Sequence, residues 1–217
     1  MLPSLLYEHP FDARRRLAEL GVSVEALTAA LEAGQLARRS CTDNDAPFIP
    51  GTEAWRFVVR VLREKLIPTG VWRKSDAGNF SVIINDARKI NIVVSSGDDL
   101  TKSTKGNPKT RHLKGLFTEA LVIRNKHYGG MFPEIISEEV RTAVSILEHP
   151  TWILLINISN EEIRAELSYP DAIEEGQIIS WKERIFVPDQ LGDPGAAVKP
   201  IDETGSDFDV PVRRKAS

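Results

Sequence analysis

The chain has a single cysteine, Cys41, and four histidines, none of which stands four residues from another. One thiol excludes an intrachain disulfide and any structural zinc site built from several thiolates. Such sparse cysteine fits a reducing compartment. The N-terminus reads Met1-Leu-Pro-Ser-Leu-Leu-Tyr-Glu-His9. It lacks a basic flank followed by a long apolar run, so no secretory signal is expected. No apolar stretch approaches the length needed to cross a bilayer. A large excess of one charge is missing too: 28 Lys and Arg stand against 31 Asp and Glu, a formal net charge of -3. Whole-chain charge therefore gives no reason to expect nucleic acid, and any basic surface has to be local. The Gly-x-x-x-x-Gly-Lys-Ser/Thr phosphate loop and the Gly-x-Ser-x-Gly elbow are both absent. A soluble cytoplasmic protein is expected, with no membrane partner.

What is present is an ordinary globular composition, 41% apolar and 27% charged over 217 residues, enough for a substantial core. Residues 10–66 read as helical. Phe11, Arg14, Leu17 and Leu20 recur at helical spacing, and Gly21 is a stop. Ser23 caps a second helix whose stripe is Ala26, Leu27, Ala30 and Leu31, interrupted or ended at Gly34. Thr52 caps a third, with Trp55, Val58, Val59 and Leu62 inside. At Val71 the period turns from helical to alternating. Three strands follow, around 71–74, 80–84 and 90–94, separated by turn residues, which predicts an antiparallel meander. Residues 116–126 and a segment capped by Ser137 read as helices, the latter with Glu138 and Glu139 in its first turn. Trp152 to Ile158 is an unbroken apolar run, expected as a central strand covered on both faces. Ile163, Ala165, Leu167 and Tyr169 alternate with Arg164, Glu166 and Ser168, which suits a strand with one wet face. Ile179 to Val187 repeats that pattern. The expectation is an α+β fold: N-terminal helices, a three-stranded antiparallel meander, central helices and a second group of three strands in one composite sheet, with helices on one face. Residues 1–187 are expected as one α+β domain, with a helical subdomain over 1–68 as the variant, and 188–217 as a flexible C-terminal tail.

The most suggestive segment is the loop Ser95 to Gly115. It holds Lys102, Lys105, Lys109, Arg111 and Lys114 against two acids, Asp98 and Asp99, with Gly97, Gly106 and Gly115 between them. Cations at this density can contact successive phosphates, and glycines let the backbone approach an anion. The leading expectation is a non-enzymatic module, needing no cofactor, that binds DNA, RNA, a nucleotide or another phosphorylated ligand through Lys102, Lys105, Lys109, Arg111 and Lys114. Arg88 or Lys74 would extend the footprint.

The alternative is a magnesium-dependent nuclease or phosphotransferase using Asp98 and Asp99, with Lys89 or Lys102 stabilising developing charge. Asp86 falls at the opposite end of the same strand, too far to share their metal. A third reading is a protein-interaction or regulatory module whose acidic tail engages a partner. The other candidates carry less. His112 can contact phosphate and His127 can cap a helix, while His9 and His149 read as structural or solvent-facing. Cys41 near Arg38 and Arg39 has no histidine close in sequence and reads as filler. The helical hairpin around Gly21 resembles a DNA-reading turn only loosely, with few base-reading side chains and Gln35 as the main candidate, and reads as a packing unit. Trp55, Trp72, Trp152 and Trp181 all fall on faces expected to be buried.

Overall fold

A computed structural model of the chain describes residues 4–111, 115–128, 130, 137–174 and 176–189. A short strand, β1 (Leu5–Tyr7), precedes helices α1 (Pro10–Glu19), α2 (Val24–Arg39) and α3 (Ile49–Leu66). The meander follows as β2 (Trp72–Ser75), β3 (Val82–Asn85) and β4 (Ile90–Ser96). Then come α4 (Leu116–Lys126) and α5 (Glu138–Ile146), and finally β5 (Thr151–Ile158), β6 (Ile163–Glu174) and β7 (Gln177–Phe186). This is the α+β order expected from the sequence. All seven strands join one mixed sheet in the order β1-β7-β6-β5-β4-β3-β2. The β4–β5 and β1–β7 pairs are parallel and the others antiparallel.

β5 lies at the centre of that order, and its first six residues are buried. An unbroken apolar strand must be covered on both sides, so helices on one face cannot suffice, and that expectation is corrected. Trp152, Leu154 and Ile156 pack with α1, α2 and α3, together with Ile83 and Ile92. Ile153 and Leu155 face the other way and pack with α4, α5, Val82, Ile84 and Trp181. Alternation along one strand thus feeds two separate cores.

Two helix boundaries differ from the sequence reading. α2 continues through Gly34 to Arg39 because Gly34 is where α2 and α3 approach closely. A Cβ there would lie 2.6 Å from Val58 Cγ2 and 2.9 Å from the Ala54 carbonyl oxygen. α3 begins at Ile49, with Pro50 in its first turn, where a missing N–H costs nothing. Thr52 is therefore inside the helix, and its hydroxyl donates to the Phe48 carbonyl at 3.0 Å. Ser23 and Ser137 do cap, accepting from the N–H groups of Ala26 at 3.1 Å and Val140 at 3.3 Å. Among the described residues no helix is long and apolar enough to cross a membrane. Most of the expected tail, residues 190–217, lies outside the described residues.

Candidate metal centre

The parallel pair β4–β5 brings two polar segments together at its N-terminal end. Asn91 of β4 stands opposite Thr151 of β5. The turn before β4, Asp86 to Lys89, therefore lies beside Glu148, His149 and Pro150, which lead into β5. The turn closes because Lys89 adopts a left-handed backbone, with φ of 56°, and because the Asn85 carbonyl oxygen of the side chain accepts from the Arg88 N–H at 2.9 Å. Buried amides fix the other segment. The Asn91 side chain donates to the His149 carbonyl at 2.8 Å. The Asn125 side chain accepts from the Thr151 N–H at 2.7 Å. Arg124 donates to the Glu148 carbonyl at 2.5 Å.

Asp86, Glu148 and His149 each offer a ligand atom there, and those atoms all lie within 4.8 Å of one another. The two carboxylates are exposed and the imidazole is half-buried. His149 Nε2 is 3.0 Å from Asp86 Oδ1. Arg73 enters from β2, whose neighbours Trp72 and Lys74 point to the other face. Its guanidinium binds Asp86 in bidentate fashion, at 2.7 and 3.1 Å, and reaches Glu148 Oε2 at 2.9 Å. The Arg73 hydrogen bond, and then the one from His149, pull the Asp86 carboxyl down to about 2. Asp86 in turn raises Arg73 above its ordinary value. The result is two carboxylates and an imidazole close together, with one guanidinium bound across both carboxylates.

The expectation of no cofactor is corrected by this cluster. Two carboxylates and one ring nitrogen are a donor set that can hold a divalent ion, and three protein ligands leave coordination positions open. Mixed nitrogen and oxygen donors suit manganese or zinc better than magnesium, which takes oxygen. Sequence reasoning left out Glu148 and placed His149 in a structural or solvent-facing role. Both lie some sixty residues from Asp86, and parallel pairing alone makes them neighbours. The available signal was a Glu-His-Pro run just before the central strand.

The loop expected to bind anions sits at the other end of β4, about 20 Å away at roughly 3.3 Å per residue. Far from being wholly exposed, it is anchored. Thr101 and Thr110 are buried, and the Trp181 indole donates to the Pro108 carbonyl at 2.9 Å. The anchor is a buried ion pair on the face of β6 and β7 expected to be wet. Glu166 is fully buried and Arg184 is 3% exposed, with 2.6 Å between Arg184 Nη2 and Glu166 Oε2. Glu166 also accepts from the Lys102 N–H at 2.9 Å, while Arg184 donates to the carbonyls of Gly106 at 2.8 Å and Ser103 at 3.0 Å. The face is dry because the loop covers it.

The expected site residues divide accordingly. Lys105, Lys109 and Arg111 are exposed. Lys102 is largely covered and pairs with Asp189 at 2.5 Å. Lys114 and His112 lie outside the described residues. Arg88 stands at the opposite end of β4 and does not extend the loop's footprint. Asp98 and Asp99 serve the loop itself. An Asp98 carboxylate oxygen accepts from the Leu100 N–H at 3.1 Å, and Asp99 meets the Asn157 side chain at 3.3 Å and Arg164 at 3.6 Å. They belong to no group of three metal-ligating side chains among the described residues. Gln35 is committed to packing, donating to the Ser159 carbonyl at 3.2 Å. Comparison with protein-family models, with curated proteins and with solved structures finds no match to this chain.

Proposed function

We propose that the chain is a divalent-cation-dependent protein acting on phosphate esters, with the cation held by Asp86, Glu148 and His149. The observation that carries this reading is the convergence of three ligand atoms within 4.8 Å on two segments pinned by buried amides. A cation bound there would polarise a phosphoryl oxygen and make a water more acidic. Asp86 would enter the site already ionised, because Arg73 holds its carboxyl low. His149 would have to present an unprotonated Nε2, with its proton on Nδ1. Arg73 would release part of its hold on the carboxylates and, with Lys89 from the same turn as Asp86, receive the substrate anion.

The test is isothermal titration of chelator-treated protein with manganese and with zinc, followed by hydrolysis of bis(p-nitrophenyl) phosphate. Asp86→Asn and His149→Ala are expected to weaken metal binding by about tenfold or more, since each loses one of three ligands. Arg73→Ala is expected to tighten it, because the competing cation is gone. Equal affinities in wild type and Asp86→Asn would end the reading.

A second reading keeps the loop as a binder of nucleic acid or a phosphorylated ligand. It is supported by the exposure of Lys105, Lys109 and Arg111 on an anchored frame. Fluorescence anisotropy with a labelled oligonucleotide tests it: binding must fall steeply with salt and be lost on neutralising those three residues.

A further inference from the structure

The α1–α3 face of the sheet carries a second feature, independent of the metal centre. An open groove of about 560 Å³ runs between α3 and the β2 edge of the sheet. Its floor is apolar, made by Trp55, Val59, Ile67 and Pro68. Trp55 is held in place by its indole N–H, which donates to the Val94 carbonyl at 3.1 Å. The rim is cationic: Arg56, Arg60, Arg63 and Lys74 against one acid, Glu64. This stands out in a chain whose formal net charge is -3.

The four cations are not equally committed. Arg63 is tied to Asp76 at 2.7 Å and also serves the Ser75 carbonyl, so it belongs to the frame. Arg56 and Arg60 pair with Glu53 and Glu64 of their own helix, at 2.7 and 2.9 Å, in exposed contacts. Surface pairs of that kind contribute little and are readily exchanged for a better anion. Lys74 is exposed and makes no ion pair shorter than 4.0 Å among the described residues. Lys74 points into this groove because strand alternation sends its neighbour Arg73 to the metal side.

We propose that this groove binds a small organic anion with a flat apolar body, the body lying on Trp55 and Val59 and the charged group held by Lys74 and Arg60. The volume falls within the roughly 300–1,000 Å³ of small-molecule sites, and an apolar floor with few placed charges is their usual chemistry. The anionic group can be the phosphate of a nucleotide or the carboxylate of an aromatic acid. Both present a planar ring and one or two negative charges at one end.

Isothermal titration of the full chain with adenosine 5′-monophosphate, 2-naphthoate and uncharged adenosine tests this, with chelator present so that the metal centre plays no part. At least one anion is expected to bind in the submillimolar range, and adenosine much more weakly. Binding of only one anion identifies the source as nucleotide or aromatic acid. The charge reversals Lys74→Glu and Arg60→Glu together are expected to weaken binding roughly tenfold, the size two partly exposed charge contacts allow. Both residues are exposed, so folding is retained, and Arg14→Glu, exposed on α1 and outside both the groove and the loop, serves as the unaffected control. Trp55→Phe reports separately, by removing the fluorescence change that accompanies binding. The proposal is overturned if neither anion binds at millimolar concentration, if adenosine binds as tightly as its monophosphate, or if the double reversal leaves affinity unchanged.

Discussion

Asp86 links acid stability to the candidate metal centre. Its folded carboxyl sits at about 2, below the ordinary 3.8, chiefly through the Arg73 hydrogen bond. A carboxyl lowered on folding adds stability that is complete above its unfolded value and lost as pH falls through the folded one. The contribution should therefore be intact above pH 4 and fade between about 3.8 and 2. Its size is damped by solvent, since the side chain is 55% exposed. Thermal melts of wild type and Asp86→Asn should run parallel above pH 4 and converge on acidification; a constant gap down to pH 2 would contradict the assignment.

Glu166 and Arg184 behave differently because they are buried. Glu166 accepts from Arg184 Nε at 2.9 Å, Ser168 Oγ at 2.8 Å and the Lys102 N–H. Removing one partner of such a pair leaves an uncompensated charge and costs about 3–5 kcal/mol, whereas replacing both by apolar groups is often neutral. Arg184→Met should lower stability by about that amount in urea denaturation and speed amide exchange across residues 102–106. The double variant Glu166→Leu/Arg184→Met should recover much of the stability but not the exchange protection, since the loop carbonyls lose their donor either way.

At the scale of elements, the contact between α2 and α3 turns on Gly34. Alanine there gains about 0.8–1.0 kcal/mol of helix propensity. Its Cβ would lie 2.9 Å from the Ala54 backbone oxygen, which cannot move without shifting α3. Overpacking costs about 1–3 kcal/mol, so the net change in Gly34→Ala should be destabilising. Adding Val58→Ala removes the 2.6 Å side-chain clash but not the backbone one, so any rescue seen in Tm should be partial. This is also where local pattern misleads. A glycine in an apolar stripe reads as a helix stop until the neighbouring helix is in view. The meander, the caps at Ser23 and Ser137 and the bounds of α4 were legible because period and turn residues are local. β1 was not: three residues carry no period, and β1 exists because β7 offers it an edge.

For the molecule as a whole, the sheet separates what the chain could do into distant places. The candidate metal centre lies at the N-terminal end of the parallel pair, the basic loop at its C-terminal end, and the groove over α3 on the opposite face. Sites farther apart than 7–10 Å with no shared partner act nearly additively. Neutralising Lys105, Lys109 and Arg111 together should therefore leave manganese affinity at Asp86, Glu148 and His149 unchanged within twofold, as measured by calorimetry. A larger effect would mean that the two ends are coupled through β4 and β5.

The sequence by itself determined the helices and every strand but β1, that the fold is α+β, and that the run from Trp152 is a central strand. Those properties follow from the spacing of apolar residues and from turn chemistry, both set by neighbours along the chain. Only the tertiary structure decided that helices cover both faces, that the loop rests on a buried Glu166–Arg184 pair, and that Glu148 and His149 meet Asp86. Each of those depends on strand order and on parallel pairing across long separations, and no local pattern of residues carries that information.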